Sequence, residues 1–279
     1  MANYTTADIK NLREKTGAGM MDVKKALDEA DGDLDKAVEI IRVKGLKGIA
    51  KREGRSASAG LIAATVVDGE AGQAGVLVEI NAETDFVAKN QKFIDFADKV
   101  LAAAVASGAE DAEALAQAPV DGETVQALTD GMQAVIGEKI VVRRVARLSA
   151  EKVDLYLHRT NPDLPAQVAV LVGTDAKAAE VAHDVAMHIA AYSPQYLRRE
   201  DVPADVVEKE RKIAEETTRA EGKPEKAIAK IVEGRLGGFF KEICLLDQAY
   251  AKDPKTTVGK VIEATGGELT GFVRFRVGA

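Results

Sequence analysis

The apolar positions along this chain change their period from one stretch to the next, and those changes predict its elements. Through residue 45 they recur at helical spacing. Ile9 and Leu12, with Arg13, follow a cap at Thr5 or Thr6 and predict a short amphipathic helix. Met20, Val23, Ala26 and Leu27 predict a second, and Leu34, Ala37, Val38 and Ile41 a third. The first helix stops at Thr16-Gly17-Ala18-Gly19, where two glycines permit a tight reversal. Residues 1–45 therefore read as a three-helix bundle, and residues 46–57, basic and glycine-containing, as a linker.

From Ser58 the period shortens. "AGLIAATVVDG" and "QAGVLVEIN" are strand-like runs separated by the turn signal Asp68-Gly69-Glu70-Ala71-Gly72, which predicts a hairpin. "FIDFADKVLAAAVA" then places Phe93, Phe96, Ala97, Val100, Leu101 and Ala104 on one helical face. A weaker helix over 122–136 and the strand "KIVVRRVARLSA" complete a first subdomain, 58–150. "VDLYLHRTNPDLPAQVAVLVG" and "AAEVAHDVAMHIAAYSPQYL" repeat the hairpin-then-helix order, so a second, related subdomain spans 151–202 and 241–279. It ends on a helix near Thr257–Ala264 and the alternating strand "LTGFVRFRVG".

Between them, 203–240 reads as a helical hairpin reversing at Glu221-Gly222-Lys223-Pro224. Its first arm, rich in Glu, Lys and Arg with a narrow apolar stripe, is expected to project into solvent as a candidate docking or dimerisation element. Antiparallel hairpins with segregated helices make the predicted class α+β.

Composition narrows the function. With 46% hydrophobic and 30% charged residues over 279 positions, the chain is an ordinary globular sequence with room for more than one core. No apolar run is long enough to cross a bilayer, and the N-terminal stretch has no apolar leader core, which predicts a cytoplasmic protein with no membrane partner. A net charge of −7 argues against nucleic acid as the main partner. The exception is "RVKGLKGIAKREGR", with six cations against one acid but no interleaved aromatics. Cys244 is the single cysteine, so an internal disulfide or thiolate cluster is excluded.

Catalytic patterns are scarce. There is no phosphate-binding glycine motif of either common type. His183 and His188 lie five apart, about 500° around a helix, and diverge too far to share a metal. Ser56, Ser58 and Ser193 lack base and acid partners nearby in sequence. The reading is a protein without catalytic chemistry, metal or cofactor. His158, in "YLHRTNP", is a candidate contact residue.

One feature of the pattern is out of place. "VLVEINAETDFVAKN" begins as a buried strand and then sets Phe86 directly after Asp85 in a polar turn. The ring either folds into the core, as most phenylalanines do, or serves as an anchor for another molecule. Met20 and Met21 raise the same question: one is expected to pack in the bundle, its neighbour to stay exposed.

Four segments carry a resemblance. "LREKTGAGMMDVKKAL", "EINAETDFVAKNQKFIDFADKV" and "MHIAAYSPQYL" with "VVEKE" are similar, in order and spacing, to the bacterial elongation factor Ts family. The resemblance implies a UBA-like N-terminal module and a guanine-nucleotide exchange factor that binds elongation factor Tu and replaces GDP by GTP. It assigns Thr84, Asp85, Phe86 and Val87 to a loop that enters the GTPase near the nucleotide and displaces Mg²⁺. It assigns Arg13, Met20 and Met21 to contacts of the N-terminal module, and leaves His158 as a further contact. A dimeric assembly of the complex is compatible with the hairpin. The alternative is a protein-interaction or ribosome-associated binding module without exchange activity, for which the basic segment and the "GAGMM" loop would be the contacts.

Overall fold

The computed structural model describes residues 3–16, 18–69 and 71–279. The expected reversal at Gly17 and the turn position Glu70 lie outside the described residues. The N-terminal module is three helices, α1 (Thr6–Thr16), α2 (Met20–Glu29) and α3 (Leu34–Arg52). Of the two threonines at the start, Thr5 is the cap. Its hydroxyl accepts from the Asp8 amide at 3.2 Å, while the Asp8 carboxylate accepts from the Thr5 amide at 2.7 Å. Leu12, Val23, Ala26, Leu27, Ala30 and Ala37 form the buried centre. Gly19 caps α2 at φ −63°, an extended conformation open to any residue.

The basic segment expected as a linker is largely helix, because α3 continues to Arg52. Packing overrides its glycines. A Cβ at Gly45 would lie 2.8 Å from the Ala134 Cβ, so the missing side chain lets α3 approach a helix of the first subdomain closely. Arg52 then donates to the Gln133 carbonyl at 3.2 Å.

The first subdomain begins with β1 (Ala59–Gly69) and β2 (Gly72–Ala82), an antiparallel hairpin in register from Ala59↔Ala82 to Gly69↔Gly72. After the one-turn helix α4 (Asp85–Ala88) come α5 (Gln91–Ser107), α6 (Ala112–Gln117), the short strands β3 (Pro119–Val120) and β4 (Glu123–Thr124), and α7 (Val125–Ile136). Strand β5 (Ile140–Ala150) returns antiparallel to β2, giving the order β1-β2-β5.

The second subdomain repeats the scheme with β6 (Lys152–His158), β7 (Val168–Thr174) and α8 (Ala179–Tyr192). The hairpin helices α9 (Ala204–Ala220) and α10 (Glu225–Ile243) interrupt it. The chain then runs through β8 (Ala249–Tyr250), β9 (Asp253–Thr257), α11 (Val258–Thr265) and β10 (Leu269–Arg276), which closes the sheet as β10-β7-β6.

The central strands explain the layering. A half-exposed strand alternates apolar and polar residues, whereas β2 and β7 are near-continuous apolar runs and are buried on both faces. Val76, Val78 and Ile80 pack against Phe93, Phe96 and Val100 of α5. Leu77, between them, points the other way and meets Leu171 of β7. Val170 and Val172 in turn face Val185 and Ile189 of α8. The result is helix, sheet, sheet, helix, with mixed helix and antiparallel sheet throughout. The two sheets come close at Gly75, where a Cβ would lie 2.5 Å from a Leu171 methyl. In the hairpin, Ala214, Ile228, Val232 and Leu236 make the seam, and Arg211–Glu233 and Arg235–Glu221 pair across its flanks at 2.5 and 2.6 Å.

Candidate protein-docking site

Strand β2 delivers the chain to the loop, and Ala82, its last residue, pairs with both Ala59 and Ile140. Beyond it, Glu83 and Thr84 are held by the turn that leads from α7 into β5. The Glu83 carboxylate accepts from the Lys139 amide at 2.6 Å and faces the Arg55 guanidinium at 3.3 Å. That amide, ahead of burial, which acts the other way, and Arg55, holds the Glu83 carboxyl below the usual range. Thr84 donates its amide to Glu138 Oε2 at 3.1 Å and its hydroxyl to Oε1 at 2.8 Å. Lys139 Nζ closes the network on the Glu53 and Arg55 carbonyls just past the end of α3, at 2.5 and 3.0 Å.

On this base stands α4, a single turn in which successive side chains diverge by about 100°. Val87 and Ala88 therefore point down into the core of the first subdomain, while Phe86 points out. The ring is 76% exposed, more than any other large apolar side chain described. The core reading of Phe86 is thereby excluded; the rings in the core of the first subdomain are Phe93 and Phe96. Lys89 holds its ammonium 5.0 Å from the ring centroid, and Asp85 is exposed beside it.

Met20 and Met21 are 57% and 61% exposed. The expectation that one of them packs in the bundle is not met. At the first turn of α2 both are exposed, and Leu12, Val23 and Leu27 fill the centre without them. Arg13 is exposed on α1. His158 is exposed at the end of β6, an edge strand, with its Nδ1 3.1 Å from the Tyr156 hydroxyl. Thr84 to Val87 thus form one loop, Arg13 and the methionines lie on the N-terminal module, and His158 lies on the second sheet.

The remaining candidates have structural roles. His188 is 1% exposed; its Nε2 lies 2.8 Å from Gln248 Oε1 and its Nδ1 accepts from the Ala251 amide at 3.2 Å. Those partners place the proton on Nε2. His183 pairs with Asp154 at 3.1 Å. Among the described residues no cluster of His, Cys, Asp or Glu suits a metal, and no helix is long and apolar enough to cross a membrane. Cys244 is buried, and burial, with Asp247 adding to it, pushes its thiol up to about 11.

Sequence reasoning missed Glu83, Glu138 and Lys139. Glu138 meets Thr84 across 54 residues, so no local pattern announces the pair.

A sequence model of the elongation factor Ts family matches residues 83–279, beginning at the foot of this loop. Over the whole of both chains, the sequence is 68% identical to elongation factor Ts of Beutenbergia cavernae. It is 64% identical to that of Micrococcus luteus and 62% identical to that of Renibacterium salmoninarum, again over the full length of each. The chain belongs to the elongation factor Ts family of translation elongation factors.

Proposed function

We propose that this protein binds elongation factor Tu in the cytoplasm and exchanges its GDP for GTP by inserting the Thr84–Val87 loop beside the nucleotide. The observation that carries the reading is Phe86, an exposed ring on a turn whose underside is buried. Exposing a phenylalanine to water gains nothing for the free protein, while a rigid aromatic is the kind of side chain that anchors an interface. Phe86 wedges between helices of the GTPase. Asp85 enters with it and brings a carboxylate near the Mg²⁺ that bridges the phosphates. Loss of that cation removes the charge neutralisation on which GDP affinity depends.

Arg13, Met20 and Met21 dock the N-terminal module on the same GTPase domain, with the two thioethers as adaptable apolar contacts. His158 touches the partner from the second subdomain. The α9–α10 hairpin, with Ile213 47% exposed on α9, supplies a further contact and would serve a dimeric assembly of the complex. No bond is made or broken on this chain, so the energy for loosening GDP comes from the interface. Linkage makes the effect reciprocal: GDP must weaken this protein's binding by the factor by which the protein weakens GDP.

That reciprocity is the test. Binding to nucleotide-free elongation factor Tu, followed by calorimetry, should weaken on the order of a thousandfold when GDP is added. Equal affinity with and without GDP would rule out exchange and favour a binding module.

A further inference from the structure

The residue that starts a helix normally turns its hydroxyl inward to accept from the first free amides of that helix. Thr84 occupies that position for α4 and makes no such bond. Its hydroxyl instead donates outward to Glu138 Oε1 at 2.8 Å, and its amide donates to Oε2 at 3.1 Å. The local cap is given up for a tether to a residue 54 positions away. A single helical turn has little stability of its own, and α4 is held locally by the Val87 and Ala88 amides donating to the Thr84 carbonyl at 3.2 and 3.3 Å. The direction in which Phe86 points is therefore set at Thr84, and Thr84 is set by Glu138.

Glu138 is itself firmly placed. Gly137 ends α7 at φ +84°, a left-handed conformation, with its amide on the Gln133 carbonyl at 2.9 Å. Ile140, two residues on, is buried and starts the pairing of β5 with β2. A second strut runs in the opposite sense from the Lys139 amide to the Glu83 carboxylate at 2.6 Å. Two consecutive residues at the foot of the loop are thus cross-bonded to two consecutive residues of the α7–β5 turn.

We propose that Glu138 is a positioning residue for nucleotide exchange: it makes no contact with the nucleotide, and acts by fixing Thr84 so that Phe86 enters the GTPase in one orientation. This rests on reading Phe86 as the wedge. Misplacing a reacting or wedging group by about 1 Å is enough to cost on the order of a hundredfold in rate. Binding, in contrast, is shared with contacts outside the loop, at the exposed Met20 and Met21 and at His158.

Release of a fluorescent GDP analogue from elongation factor Tu, measured over a concentration series of factor, separates these effects. Glu138→Ala should lower the maximal rate about tenfold or more while changing the half-saturating concentration by less than about twofold. Thr84→Val, which removes the hydroxyl and keeps the size, should act in the same direction and covers the case in which Glu138→Ala unfolds. Glu138→Gln, which keeps an acceptor for the hydroxyl, should recover part of the rate. The double variant Phe86→Ala/Glu138→Ala should be no slower than Phe86→Ala alone, because there is then no ring to position. Multiplying losses, or a loss wholly in the half-saturating concentration, would overturn the proposal. So would wild-type exchange by both Glu138→Ala and Thr84→Val. Normal exchange by Phe86→Ala would instead remove the wedge reading on which it rests.

Discussion

Phe86 and Val87 are consecutive in the chain and point about 100° apart on one helical turn, Phe86 76% exposed and Val87 7% exposed. One residue serves the surface and the next the fold. The pair separates what each contributes, because the two side chains share a backbone and differ in what they touch.

Truncating Val87 and truncating Phe86 should therefore have opposite signatures. Val87→Ala removes two buried methyl groups and leaves a small cavity, at a cost of about 1–2 kcal/mol in urea unfolding. Phe86→Ala should change stability by less than about 0.5 kcal/mol. Equal losses would mean that the ring packs on the fold.

Glu79 should matter more to stability than any residue of the loop. Its carboxylate is fully buried and takes Arg144 Nε at 2.7 Å, Asn81 Nδ2 at 3.0 Å and the Gly278 amide at 2.9 Å. Arg144 in turn donates to the Arg276 carbonyl at 3.0 Å and lies 4.2 Å over the Phe275 ring, joining the first sheet to β10. Glu79→Ala takes the carboxylate from Arg144 and leaves the Asn81 and Gly278 donors without it, which should cost about 2–3 kcal/mol and lower Tm by roughly 5–10 °C. Glu79→Gln should cost less, since it keeps the shape and one acceptor. A melting point unchanged in Glu79→Ala would refute the role of this pair.

Acid should weaken the second subdomain through His188. Burial lowers its pKa, against the smaller opposing effect of Gln248, so the folded chain holds it neutral where the unfolded chain takes up a proton. The unfolded state then binds more protons below the ordinary histidine value of about 6.5, and stability is present above that pH and lost as pH falls. Protonation would also put a proton on Nδ1, which now accepts from Ala251. Thermal melts at pH 7.5 and 5.5 should show a larger acid loss for the wild type than for His188→Gln. The same loss in both would place the sensitivity elsewhere.

Much of this architecture was legible in the sequence, for identifiable reasons. The apolar runs Val76–Ile80, broken only at Glu79, and Val168–Val172 signal buried strands, and the glycine-proline reversal at 222–224 marks the hairpin turn. The continuation of α3 through Gly45 and Gly48 was not legible, because it depends on packing against Ala134, far along the chain. The expectation that Met20 or Met21 packs in the bundle failed for a related reason. Met20 fits the helical period of Val23 and Leu27, but Leu12, Val23, Ala26 and Leu27 form the centre without it. Of the site, the misplaced ring and its acid could be seen at once. What holds them, the cross-bonds from Glu83 and Thr84 to Glu138 and Lys139, is contact between distant segments and carries no sequence period.

The most direct test of the account is the rate of GDP release from elongation factor Tu. Wild-type protein should accelerate release of a fluorescent GDP analogue, and Phe86→Ala, folded and still bound, should lose about ten- to a hundredfold of that acceleration, or about 1.4–2.8 kcal/mol of coupling. Undiminished acceleration by Phe86→Ala would contradict the wedge, and no acceleration by the wild type would contradict exchange itself.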